Sequence, residues 1–445
     1  MNRIGLLLAA TLVALQSAAC APKGATPASP AAAAARSTGA DSGASPGAAG
    51  GGAVAPGASA ALLAAAESVY ADLRALRDRY DVTIATGRDV SPEGIPLPAL
   101  ARGQNALRDT LATRLRAVDS TALATEDRKA LAIMGAALAR DLGPLSGSPA
   151  DRSGAAASPP DCGYDAAAIG ALRNGPDSLS RRAYACYAWA QHNVVADGEA
   201  LDRLTLLARL ARTDDRERRR SLFLALDPVW RSMNGDDRPA SPYRQLVRAV
   251  ARRGGPSPVA IRARALGVEP DTMLAWLVAI LEAWRAAAPD SLIEPWDWHY
   301  QAGKASRVLS PRVPAESLRA INAAVFRALG ADVDSLHVRY DLAPREGKTP
   351  VAFTTFGVRA RHRGDGWQPA EPWVFATYRT GGLDNLNELL HETGHAVHIA
   401  AVRTRPAFAD WPDSDPFTEA VADLIALDVY EPAWQQRWLG DSVPL

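Results

Sequence analysis

The chain has 445 residues with 49 Lys+Arg against 49 Asp+Glu, so its formal charge is zero. That balance gives no electrostatic footprint for nucleic acid, and the length allows a large buried core. Met1-Asn2-Arg3, an apolar run from Ile4 to Leu15 and Ser17-Ala18-Ala19-Cys20 form a secretory signal over 1–19, too short for a stable membrane span. A cysteine after small residues resembles a bacterial lipoprotein cleavage site, with Cys20 as the lipid anchor, although Ser17 stands where that motif usually has leucine; ordinary cleavage near Ala19 or Ala21 is the alternative. Of residues 21–60, 34 are Ala, Gly, Pro or Ser. Such a stretch cannot offset its ordering entropy, and 20–60 reads as a disordered tether.

Apolar residues at helical spacing follow over Leu62–Tyr80, Leu100–Val118, Glu126–Leu142, Ser180–Asp214, Asp215–Leu226, Tyr243–Arg253, Thr272–Ala288 and Ala315–Leu329. Ser146–Pro160 reads as a loop. Cys162 and Cys186 are either one disulfide of an oxidising compartment or two buried thiols. Arg216-Glu217-Arg218-Arg219-Arg220 is a solvated helix face, and Trp296-Asp297-Trp298-His299-Tyr300 an aromatic knot suited to packing between helices. The one strand-like region is Thr349–Val358 with Trp373–Thr377. The expected fold is mainly α with a short β-sheet beside the last helices, in a helical lobe over 61–300 and a second region over 301–445 around a cleft.

His391-Glu392-Thr393-Gly394-His395 carries the chemistry. On a helix, His391 and His395 differ by only about 40° and point from one face at one metal ion. Glu392, next to the first ligand, can reach a water at that ion and take its proton. The surrounding Leu389, Leu390, Ala396, Val397, Ile399 and Ala400 make the helix a buried one, where two histidines and a glutamate need a partner to offset desolvation. Downstream, Phe417–Leu427 is an apolar helix with two acids, Glu419 and Asp423, on one face. Glu419 would be the third ligand of a single Zn2+, and Asp423 would accept the free N–H of a ligand histidine, His391 being the candidate. His398 is read as a core or supporting histidine; His192, His299, His337 and His362 have no partner pattern.

H-E-x-x-H followed by E-x-x-x-D resembles the gluzincin arrangement of zinc peptidases. The 23 residues between His395 and Glu419 are similar to the spacing of the helical angiotensin-converting-enzyme and thimet-oligopeptidase families, as is Pro416–Asp423 to the former. Asp341–Lys348 with Ala352-Phe353, together with Gly394 and His398, resembles the oligopeptidases. The resemblance covers about residues 340–430. It implies a helical zincin-type fold and a peptidase acting on short peptides, as an oligopeptidase or a peptidyl-dipeptidase, with Glu392 as general base. It also implies a sheet that binds extended peptide by strand addition. Arg345 and Lys348 are left out of the site. The related enzymes continue after the glutamate ligand with a helical segment bearing an oxyanion-stabilising tyrosine. Only 22 residues follow Asp423 here, so a truncated reading frame is expected, and neither Tyr378 nor Tyr430 is assigned that role. The contrasting expectation is a non-catalytic envelope lipoprotein whose zinc site is structural or vestigial and whose helical body binds peptides or a protein partner. Either would act outside the cytoplasm, touching a membrane only through Cys20.

Overall fold

A computed structural model describes residues 56–147, 162, 176–234, 241–252, 256–287, 294–345, 348, 351–363, 365–410 and 417–443. The signal, Cys20 and the tether as far as residue 55 lie outside the described residues, as do 148–160 of the expected loop and positions 349 and 350 of the expected strand.

The first helix, α1 (Pro56–Ala85), starts within the expected tether and runs past Tyr80. Alanines favour helix once a core is available to cover Leu63, Ala66, Tyr70 and Leu73, which are buried at helical spacing. They pack against Leu111 and Met134 of α2 (Leu97–Arg116) and α3 (Thr125–Arg140). Cys186 on α4 (Pro176–His192) is disulfide-bonded to Cys162, with Cα atoms 5.8 Å apart. The continuous helix expected over Ser180–Asp214 is broken by an antiparallel hairpin, β1 (Val194–Ala196) and β2 (Glu199–Leu201). The physical reason is the Asp197-Gly198 turn, with φ of 53° and 76°, a pair that matches the twist of a two-residue hairpin.

Short helices follow: α5 (Arg203–Arg212), α6 (Arg216–Leu224), α7 (Asp227–Asn234), α8 (Pro242–Arg252), α9 (Pro258–Ala265), α10 (Pro270–Ala287), α11 (Pro295–Ala302), α12 (Lys304–Leu309) and α13 (Leu318–Ala328). Asp202, Asp215 and Ser257 cap three of them by accepting from a backbone N–H three residues on. The aromatic knot does pack between helices. Trp296 meets Phe223 edge-on, and the Tyr300 ring lies between the guanidinium groups of Arg219 and Arg307 at 4.1 and 3.7 Å. Arg219 is buried and donates to Asp297, so the basic run is only partly a solvated face.

The sheet that positions the site is β3 (Arg339–Asp341), β4 (Phe353–Val358) and β7 (Glu371–Phe375), in the order β3-β7-β4. Strand β7 is parallel to β3 and antiparallel to β4. Between them, β5 (Arg361–Arg363) and β6 (Gly366–Gln368) form a separate hairpin. Strand alternation sends Phe353, Trp373 and Phe375 to Val82 and Ala85 of α1, while Val374 joins the core of the last helices. Those are α14 (Leu383–Ala401), α15 (Phe417–Ala426) and α16 (Pro432–Leu439).

The N-terminal helix is thus fastened to the C-terminal region. Arg359 donates to Asp78 at 2.6 Å and pairs with Asp410, Tyr70 donates to Asp410 at 2.6 Å, and Arg405 bridges Glu67 and Asp127 at 2.8 Å each. Mainly helical architecture with small sheets is what the composition of elements shows. Among the described residues no helix is long and apolar enough to cross a membrane.

Candidate metal centre

Helix α14 is buried along most of its length, from Leu383 through Ala400, and His391, His395 and Glu392 are buried with it. His391 Nε2 and His395 Nε2 lie 3.0 Å apart. Glu419, in the first turn of α15, brings Oε2 to 3.3 Å from the first and 3.5 Å from the second. These distances test the donor set for fit. Two ligand atoms at about 2.05 Å from a tetrahedral zinc stand about 3.3 Å from each other. The three expected ligands come close to that spacing, and they are the metal-capable cluster found among the described residues.

Close helix approach makes this possible. A Cβ added at Gly394 would lie 3.0 Å from Ala422 Cα, so a glycine here lets α15 sit against α14. Asp423, one turn after Glu419, then places Oδ1 2.9 Å from His391 Nδ1. If Nδ1 donates to Asp423, Nε2 keeps its lone pair for the ion. Burial alone would lower the His391 pKa, but hydrogen bonds to Asp423 and Glu419 and the charge of Glu392 lift it to about 10. The same contacts with the two histidines hold Glu419 far below the usual carboxylate range.

Glu392 lies on the sheet side of the helix. Thr354 Oγ1 of β4 is 2.9 Å from Glu392 Oε2 and 2.7 Å from its carbonyl oxygen, so one hydroxyl proton serves two acceptors. Burial raises the Glu392 pKa, opposed by His391, His395 and Thr354. One residue along, Thr393 Oγ1 is 3.2 Å from Tyr340 Oη of β3, which in turn accepts from Asn322 Nδ2 at 3.1 Å.

All five expected site residues, His391, Glu392, His395, Glu419 and Asp423, therefore come together. His398 stands apart, edge-on to Phe417 at 5.8 Å. Lys348 is buried and donates to Asp341 Oδ1 at 3.1 Å and to the Ala343 carbonyl at 3.0 Å, a structural use. Thr354 and Glu388 escaped the sequence reading, and Tyr378 was named there without a role. Thr354 had no signal beyond a strand pattern, whereas Glu388 is a full turn before Glu392 on the metal-facing side and was readable from helical spacing. A cavity of about 510 Å³ lined by Arg74, Arg359 and Trp373 lies on the α1 side of the sheet and contains none of the five.

No family model and no curated protein sequence matches the chain.

Proposed function

We propose that the chain is a zinc-dependent metallopeptidase of the helical zincin type, hydrolysing short peptides outside the cytoplasm, with Cys20 as its membrane anchor. The observation that carries this reading is the convergence of two imidazole Nε2 atoms and one carboxylate oxygen at tetrahedral-zinc spacing, with a buried carboxylate beside them. A zinc ion held by His391, His395 and Glu419 would supply Lewis acidity to the scissile carbonyl and to the attacking water. Glu392 takes a proton from that water and later gives it to the leaving amine. Its raised pKa suits a group that must both accept and return a proton. Thr354 holds the Glu392 carboxylate in one orientation. Asp423 fixes the His391 ring and its tautomer.

Elemental analysis combined with cleavage of a quenched fluorescent peptide library tests the reading. One zinc per chain, with cleavage by the wild type and none by Glu392→Gln, is the expected result. Zinc with no cleavage in either protein overturns the enzyme and leaves a zinc-bearing envelope protein that binds peptides or a partner.

A further inference from the structure

Glu388 is a carboxylate that the proposed chemistry does not use. On α14 it projects within about 20° of His395 and about 40° of Glu392, one turn nearer the helix N-terminus. It therefore faces the same space as the ligands and the base, displaced by about 6 Å along the helix. Its side chain has protein around it yet stays exposed to solvent. Among the described residues it forms no ion pair with Lys or Arg; Glu392 and Asp384 of its own helix act on it as like charges, opposed by His391 and by the Tyr378 hydroxyl. Burial and those like charges push its carboxyl up to about 7.

Two neighbours sharpen the assignment. Asp384, one turn further up the same face, is already served: it accepts from Tyr430 Oη at 3.2 Å, and Arg212 and Arg307 lie near it. Tyr378 is only 8% exposed, and its buried hydroxyl faces Glu388, to which it can donate, and Glu392. An acid with no Lys or Arg partner among the described residues, and the buried hydroxyl that faces it, thus lie beside the helix face that carries His391 and His395. A ligand that brings a positive charge with N–H donors would supply the carboxylate with the cationic partner it lacks.

We propose that Glu388, backed by the Tyr378 hydroxyl, selects peptides carrying a cationic side chain, Lys or Arg, at the residue flanking the scissile bond. This rests on the peptidase reading of the same site. The ammonium or guanidinium would donate to the Glu388 carboxylate, while the Tyr378 hydroxyl donates to the same carboxylate and holds it in place.

The test uses zinc-loaded full-length protein and quenched peptides with Lys, norleucine or Glu on either side of one cleavable bond. Wild type is expected to favour Lys over norleucine by roughly 10- to 100-fold in kcat/KM, as for a desolvated charged hydrogen bond. Glu388→Gln should bring the two substrates within about 3-fold of each other, and Glu388→Lys should shift the preference to Glu. A merely structural Glu388 would lower all substrates together. Fluorescence anisotropy of the same peptides on zinc-loaded Glu392→Gln separates this idea from the peptidase reading. A charge preference in binding without wild-type cleavage removes the enzyme and keeps the recognition. No preference for Lys in either measurement, or one that survives Glu388→Gln, overturns the proposal.

Discussion

Thr354→Val is the sharpest probe of how the site handles protons. The substitution keeps the shape of the side chain and its β-branched fit to β4, and removes the hydroxyl 2.9 Å from Glu392 Oε2. A hydrogen bond to a charged acceptor contributes about 1.5–3 kcal/mol. The Glu392 carbonyl, at 2.7 Å, competes for the same proton, so the carboxylate loses the lower end of that range. Near 1.4 kcal/mol corresponds to about 10-fold in rate. The sign of the pH effect follows as well. Thr354 holds the Glu392 pKa down against burial, so its removal disfavours the ionised form and raises that pKa. Stopped-time assays of kcat/KM with a fluorogenic peptide across pH 5–9 should show an approximately 10-fold loss at neutral pH. The acidic limb should move to higher pH, while zinc content stays at one per chain. An unchanged acidic limb with unchanged kcat/KM would show that Thr354 does not orient the base.

Other perturbations reach other parts of the molecule. Arg359→Ala leaves Asp78 buried without its bidentate partner, while Asp410 keeps Arg74; urea denaturation should show a loss of about 3 kcal/mol, and a loss under 1 kcal/mol would refute the fastening of α1 to the sheet. Glu388 has a raised folded-state pKa, so its contribution is fully present below about 4.5 and is lost as pH rises through about 7. Solvent access trims the effect to about 1 kcal/mol, and metal-free Glu388→Gln should gain thermal stability over wild type at pH 8 but not at pH 4.5. Asp423→Ala should weaken intrinsic zinc affinity about 10- to 100-fold in chelator competition. Asp423 also raises the proton affinity of His391, so the gap from wild type should widen between pH 7 and 9; a gap that narrows contradicts the pairing.

The sequence was most informative where one helix does the work. His391, Glu392 and His395 are set by helical periodicity alone, and Glu419 with Asp423 by the same rule on a second helix. What brings the two helices together is a single absent Cβ at Gly394, visible in the string but without meaning until Ala422 is known to face it. Tertiary packing decided the rest. Helix α1 could be read as a helix, yet nothing in Val82 or Ala85 announced that they would cover the back of a sheet 270 residues later. The hairpin at Asp197-Gly198 was legible from its turn chemistry and was hidden by the apolar helical pattern on both sides. Thr354 belongs to the class of contacts that strand patterns cannot specify, because register fixes which hydroxyl meets the base.

Helix α14 divides its work between two neighbours. The edge holding His391 is ordered by Asp423 of α15, and the edge holding Glu392 by Thr354 of β4. Those partners share no hydrogen bond among the described residues, and they lie on separate elements, α15 and β4, that each pack against the helix. Metal affinity and proton transfer should therefore be separable. With zinc held saturating, Thr354→Val should lower kcat/KM about 10-fold and Asp423→Ala should act on it independently. The double variant should then match the sum of the two free-energy changes within about 0.5 kcal/mol. A coupling larger than that would mean that the histidine and the base are ordered as one unit, and that the orientation of α14 as a whole, rather than two local contacts, sets the activity.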